Sequence, residues 1–258
     1  MDEYIVKWVP VGVVLWSLAF ALVRNSFQSR SFDFCNRIVS VCHACLAVTL
    51  ASLTVQEWSC PVCPLASPST PLQKQTLAVT VAYLIYDLIC CMFDDHISLD
   101  NSIHHLVSIV GLGAGLVYGI CGSEMVAALW LTEISSPFLH LRELLKEIGY
   151  KDTNLNFAAD FEDCHIPIAV FLCLNTFRCM DAYSGKSTIG HLSFAVIFTT
   201  ARMVGGPYLT YVTLNADNPF LIKAMAVGLQ LVSAFWFYKI ARMVRYKVAK
   251  RRKPIKAA

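Results

Sequence analysis

Seven apolar runs of about twenty residues, each closed by polar or basic residues, constrain this chain more than anything else in it. They cover 4–23, 38–55, 76–93, 103–120, 125–141, 193–214 and 219–240. A helix rises about 1.5 Å per residue, so about 20 apolar residues match the roughly 30 Å hydrocarbon layer of a bilayer. No water is at hand there for a backbone N–H or C=O, and a helix answers this by bonding every such group within itself. The expected fold is therefore all-α: a polytopic transmembrane helix bundle of about seven spans. Composition agrees. Hydrophobic residues make up 56% of the chain, charged residues 15%, and mean hydropathy is +0.55, whereas soluble domains carry roughly 25% charge. No polar block is long enough for a water-soluble domain, so the chain reads as one membrane domain. An eighth apolar stretch, 166–177, has 12 residues and carries Asn175, too short to cross comfortably.

Basic residues orient the spans, because loops rich in Lys and Arg stay in the cytosol. Arg24, Arg30 and Arg37 follow the first run, Arg142, Lys146 and Lys151 follow the fifth, and the segment from Lys239 onward is basic with no acid after Asp217. Asp2 and Glu3 precede the first run, which also argues against a cleavable signal. An outside N-terminus with seven spans puts the basic tail in the cytosol. An eighth span would put it outside, so 166–177 is expected not to cross. The tail reads as a solvated segment or as one attracted to anionic headgroups. No groove-reading or base-stacking module is present, so nucleic acid is not an expected partner.

Polar residues inside the spans carry the functional signal. A charge at mid-bilayer costs roughly 2.5–3.5 kcal/mol on insertion scales, and such groups turn inward. His104 and His105 open an apolar run that carries Gly111, Gly115 and Gly119 at four-residue spacing, small residues that let helices pack closely. Tyr83, Asp87, Cys91 and Asp94 share one face of the third span; Asn36, Ser40 and His43 share one of the second; Glu133, Ser136, Pro137 and His140 share one of the fifth. The sixth holds Arg202 before Gly205-Gly206-Pro207. Two readings stay open: an internal ion pair that fixes helix register, with Arg202 neutralising an acid, or a polar chamber. The chamber would be lined by His104, His105, Asp87, Asp94, Glu133 and Arg202 and could hold a lipid headgroup or perform acid–base chemistry. No metal cluster or cofactor motif stands out, because adjacent helical histidines diverge. Of eleven cysteines, most lie in apolar runs and read as small hydrophobes. Cys60 and Cys63 sit in a polar loop. They read as plain loop cysteines, as a disulfide if the loop faces an oxidising lumen, or least readily as zinc ligands.

Together, Asn36-Arg37 with His43, Tyr86-Asp87, Asp94 with His104-His105, Glu133-Ile-Ser-Ser-Pro-Phe138 and Ala201-Arg-Met-Val-Gly-Gly-Pro207 resemble the TLC-domain family. That group includes ceramide synthases and translocation-associated membrane proteins, and the resemblance runs from about 34 to 247, nearest to the small plant and animal members. It implies a multi-pass, lipid-handling bundle with an N-terminal anchor helix at 1–33, a TLC-like domain at 34–247 and a basic tail at 248–258. It also implies an internal membrane, endoplasmic reticulum being the expected one, and a role in lipid homeostasis. The alternative is a ceramide-synthase-like N-acyltransferase that joins an acyl-CoA to a sphingoid base. Of the ceramide synthase residues only His104 and His105 carry over as catalytic candidates, since the downstream His-Asp pair is absent and Glu133 and Ser136 stand in the fifth span instead. Expected partners are a membrane lipid, with acyl-CoA in the enzymatic reading, and a homo-oligomer is compatible. The charged stretch at 161–192 reads as an insertion in the family pattern.

Overall fold

The computed structural model describes residues 7–93, 99–148 and 196–251. Asp94, the short apolar stretch 166–177 and the expected insertion at 161–192 lie outside these described residues.

The chain folds into helices α1 (Val9–Ser26), α2 (Phe32–Thr54), α3 (Pro71–Met92), α4 (Leu99–Tyr118), α5 (Gly122–Glu133) and α6 (Ser136–Glu147). A π-helical segment, Thr199–Gly205, then leads into α7 (Gly206–Asn215) and α8 (Phe220–Arg251). The seven expected runs map onto these: α5 and α6 divide the fifth, and the π-helical segment and α7 divide the sixth. The architecture is thus an all-α membrane bundle. Among the described residues α1, α2, α3 and the first 23 residues of α8 are each long and apolar enough to cross a bilayer alone. α1 turns Val14, Leu15, Leu18 and Leu22 outward. Such a row would promote aggregation in water, whereas lipid solvates it.

α3 is the central helix and packs against α1, α2, α4 and α5. Leu77, Ala78, Ala82 and Leu84 are buried along it. Its start is fixed by a capping box: Thr70 Oγ1 accepts from the Gln73 amide at 3.2 Å, and Gln73 Oε1 accepts from the Thr70 amide at 2.9 Å, which satisfies donors the helix cannot. Pro71 follows at the first helical position, where its missing N–H costs nothing. Ser31 caps α2 in a similar way and also binds Glu147 through Oγ at 2.9 Å. That contact ties the start of α2 to the end of α6.

Glycines set the closest helix approaches. A Cβ on Gly12 would lie 2.6 Å from Ala82 Cβ, so α1 touches α3 backbone to backbone there. The glycine stripe of α4 divides into different roles. Gly111 faces Met225 of α8, Gly115 faces Met125 of α5, and Gly119, at φ +67°, turns the chain out of the helix. Only the first two serve helix packing; the third supplies the left-handed turn that ends α4.

The α4–α5 turn and the loop at 55–70 close the end of the bundle opposite the basic residues. Ser69 N–H donates to Gly119 O and Cys121 N–H donates to Ser67 O. Ala66 N–H donates to the buried Glu124 carboxylate at 2.6 Å. Cys60 and Cys63 form a disulfide in this loop, one of the alternatives the sequence left open. Burial pushes the Cys121 thiol up to about 12; it keeps its proton and donates to Asn218 Oδ1 at 2.7 Å.

The fifth and sixth spans are each broken once, and the breaks face each other. Pro137 cannot donate to Glu133 O and its ring crowds that carbonyl, so α5 stops at Glu133 and α6 starts at Ser136. In the sixth span, the π register would pair the N–H of residue 207 with the carbonyl of residue 202, but residue 207 is proline. Gln230 Nε2 of α8 donates to the Arg202 carbonyl instead, at 3.3 Å. Gly205 and Gly206 allow the crowding this requires: a Cβ on Gly205 would sit 2.8 Å from Leu131 Cδ2, and one on Gly206 would collide with Gln230 Oε1. Gly205-Gly206-Pro207 thus both divides the sixth span and packs it tightly between α5 and α8.

Candidate functional site

Helical spacing places Asp87 and Cys91 one turn apart on α3, with Asn36 arriving from α2 and His105 from α4. Asp87 is 6% exposed and both of its oxygens are used. Oδ1 accepts from Asn36 Nδ2 at 2.6 Å and Oδ2 lies 3.0 Å from His105 Nε2. Asn36 Oδ1 accepts in turn from Tyr86 OH at 2.7 Å. The result is one chain of contacts, Tyr86–Asn36–Asp87–His105, across three helices. It joins the Asn36, Tyr86-Asp87 and His104-His105 motifs that lie some 70 residues apart in sequence.

Asn101, one turn before His105 on α4, closes the cluster. Its Nδ2 lies 3.4 Å from Cys91 Sγ and 3.1 Å from His105 Nε2. Among the described residues Asp87, Cys91 and His105 form the group whose ligand atoms, one from each, all lie within 4.8 Å of one another. The sequence pattern singled out the face bearing Asp87 and Cys91 and found no metal cluster, because the third side chain comes from another helix.

Beside this cluster lies a cavity of about 540 Å³. Asp87 and Cys91 line one wall, Arg202 and Trp236 another, and His140 and Leu139 of α6 a third. Toward the basic end it is lined by three opposite-charge pairs or their members: Asp33–Arg37 at 2.6 Å, Arg142 bound to Glu143 at 2.6 Å, and Asp100–Lys239 at 2.9 Å. Lys239 is half exposed there.

His104 and His105 are both buried, and their ring centroids are 5.7 Å apart at 59°. They face different surroundings, as adjacent helical positions must. His105 stands behind Asp87. His104 packs on Trp236 with ring centroids 4.9 Å apart, and with Glu133 it lines a separate cavity of about 30 Å³. Of the six residues expected to share one chamber, Asp94 lies outside the described residues and the other five are distributed: Asp87 and Arg202 border the large cavity, His105 stands behind its wall, and His104 and Glu133 border the small one.

Arg202 is 5% exposed. Its guanidinium lies 5.3 Å from the rings of both Phe198 and Trp236, and Nη2 donates to Thr132 O. The α5–α6 break lies just beyond that carbonyl. Among the described residues Arg202 has no carboxylate within 4 Å; aromatic faces and a backbone carbonyl hold it directly, and the charge of Glu133 on α5 acts on it from farther away. Aromatic quadrupoles attract a desolvated guanidinium by about 2 kcal/mol or more. Among the described residues Nε and Nη1 of Arg202 have no hydrogen-bond partner.

Trp236, Asn101 and Asp100 were not singled out by sequence reasoning. Trp236 looks like one more apolar residue of the last span. Yet its Nε1 donates to Asp100 Oδ2 at 2.8 Å, and its ring touches both His104 and Arg202. An indole N–H needs a partner when buried, which was the available clue.

Comparison with known proteins identifies the family. A family model described as the TLC domain matches residues 26–242. TLC domain-containing protein 4-B of Danio rerio is 25% identical over 261 aligned positions, covering 93% of this chain and 88% of that protein. A TLC domain-containing protein of Acanthamoeba polyphaga mimivirus is 29% identical over 77 residues, covering 28% of this chain and 38% of its own. A match across most of the chain, on an all-helical bundle with several membrane-spanning helices, makes this protein a member of the TLC domain family.

Proposed function

We propose that this protein handles a membrane lipid, holding its headgroup in the 540 Å³ cavity and serving membrane lipid homeostasis. The cavity carries this reading. Its volume falls within the roughly 300–1,000 Å³ usual for small-molecule sites. It combines an anionic wall at Asp87, a cationic one at Arg202 and apolar surface from Leu139, Phe198 and Trp236, which suits a headgroup bearing both charge and hydrocarbon. Its charged rim lies at the basic end, which the distribution of Lys and Arg assigns to the cytosol. The disulfide at the opposite end suits an oxidising lumen, and both features support an endoplasmic reticulum location. The test is native mass spectrometry of the protein released from mild detergent. A lipid adduct is expected on the wild type and its loss in Leu139→Trp, which fills the cavity. An adduct that survives Leu139→Trp and Arg202→Met in full would refute the site.

The second reading is N-acyl transfer from acyl-CoA to a sphingoid base. The contact between His105 and Asp87 favours it, because a carboxylate that orients an imidazole is a general-base arrangement. Purified protein given both substrates should then form the amide, and His105→Ala should abolish it. No amide from the wild type would leave lipid binding as the function.

A further inference from the structure

We propose that Asp87, Cys91 and His105 form a divalent metal site, best suited to zinc, whose open coordination position faces the large cavity. The site goes beyond the lipid reading and does not depend on which lipid is bound.

The argument begins with His105 Nε2. It lies 3.0 Å from a carboxylate oxygen, an acceptor, and 3.1 Å from the Asn101 amide nitrogen, a donor. An imidazole nitrogen has one in-plane function: it bears a proton or a lone pair. It cannot satisfy both neighbours as they stand. A cation between the groups resolves this: the Nε2 lone pair and Asp87 Oδ2 then point to the same ion, and the Asn101 amide donates to Cys91 Sγ, 3.4 Å away. Cys91 Sγ is the third ligand, its atom within 4.8 Å of the other two. Tetrahedral zinc with ligand bonds of about 2.0–2.3 Å separates its ligand atoms by about 3.4–3.7 Å. Small rotations of Asp87, Cys91 and His105 reach that from the present positions.

The donor set selects the metal. Thiolate, imidazole and carboxylate together suit zinc, whereas magnesium and calcium take oxygen ligands. Three protein ligands with one position left open is the pattern of zinc sites that do chemistry or bind ligands. Here Asp87 and Cys91 both line the cavity, so the open position is presented to whatever occupies it. An oxygen of a phosphate, a carbonyl or water is the class of fourth ligand it takes. The surroundings also suit a ligand shell. Asn36 holds the second oxygen of Asp87 at 2.6 Å, the outer hydrogen bond that orients ligating carboxylates. The cavity gives ions a route from the charged end of the bundle.

The competing arrangement is metal-free. Rotating the Asn101 amide by 180° would give one His105 N–H two acceptors and the Cys91 thiol an acceptor. Metal analysis decides between them. Full-length protein is purified without chelator, its zinc is counted by elemental mass spectrometry, and it is then stripped and loaded with Co²⁺. One zinc per chain and a thiolate-to-cobalt charge-transfer band are expected. Cys91→Ala should lose the band and Asp87→Asn should bind zinc at least about tenfold more weakly. Cys90→Ala, one residue away, should match the wild type. Asn36→Leu should weaken zinc about tenfold, the usual scale for a lost outer hydrogen bond. A wild type that takes up no Co²⁺, or Co²⁺ without the thiolate band, overturns the proposal. So does a band that persists in Cys91→Ala. The wild-type spectrum alone decides if the variants fail to fold, and its outcome leaves the lipid experiment unaffected.

Discussion

Replacing Asn36 with leucine tests whether the Tyr86–Asn36–Asp87–His105 chain holds the three helices together. Leucine has the branched shape and heavy-atom count of asparagine, so the change removes the polar contacts while keeping the outline of the side chain. Two hydrogen bonds go: the 2.6 Å bond to Asp87 and the 2.7 Å bond from Tyr86. A bond to a charged group contributes about 1.5–3 kcal/mol, and a neutral one about 1 kcal/mol, in soluble proteins. Between membrane helices, double-mutant cycles average only about 0.6 kcal/mol. Asn36 borders the large cavity, so water can replace part of what Asp87 loses. The membrane figure therefore applies to the Tyr86 bond and the low end of the charged range to the Asp87 bond. Asn36→Leu should cost about 2 kcal/mol and Tyr86→Phe about 0.6 kcal/mol. The double variant should show a coupling near 0.6 kcal/mol, since Tyr86→Phe has nothing further to lose once Asn36 is gone. Reversible unfolding in mixed micelles with increasing dodecyl sulfate measures all three. A cost below about 0.5 kcal/mol for Asn36→Leu, or strict additivity, would show that the contacts are incidental.

Gly12→Ala and Gly113→Ala form a matched pair. The first puts a Cβ 2.6 Å from Ala82 Cβ, which cannot rotate away, and should cost about 1–3 kcal/mol of stability by forcing α1 off α3; the second meets nothing within 4 Å and should cost nothing in the same unfolding assay. Trp236→Ala should lower stability by about 3 kcal/mol or more, because it strips the ring from Arg202 and His104 together, whereas Trp236→Phe should recover most of it; equal losses would mean that the indole bond to Asp100 carries the effect. Protease added to sealed microsomes should remove a C-terminal tag, and protection of that tag would overturn the cytosolic placement of the tail. Removal of 161–192 should leave expression unchanged and the tag still accessible; a tag moved to the lumen would make that segment part of the membrane count.

Much of this molecule is legible in one dimension because the bilayer imposes a one-dimensional rule. Each crossing needs about twenty apolar residues with their backbone bonded internally, and hydropathy alone therefore locates the helices. The positions of inward-facing polar residues follow from the same logic, since a charge facing lipid is costly; Asp87, His104, His105 and Arg202 are all buried. The breaks were less legible. Gly205-Gly206-Pro207 marks one of them in sequence, but only the structure shows that a π-helical segment ends there and that both glycines pack closely against α5 and α8. What only the tertiary structure decided is which polar groups meet. Asp87 lies against His105 rather than Arg202, Arg202 rests between two aromatic rings, and Cys91 joins His105 across two helices. Those pairings depend on the rotation and depth of each helix against its neighbours. Gly12, Gly111 and Gly205 set these through contacts with residues far along the chain. A helical wheel gives the face a residue occupies; only packing gives the residue that faces it.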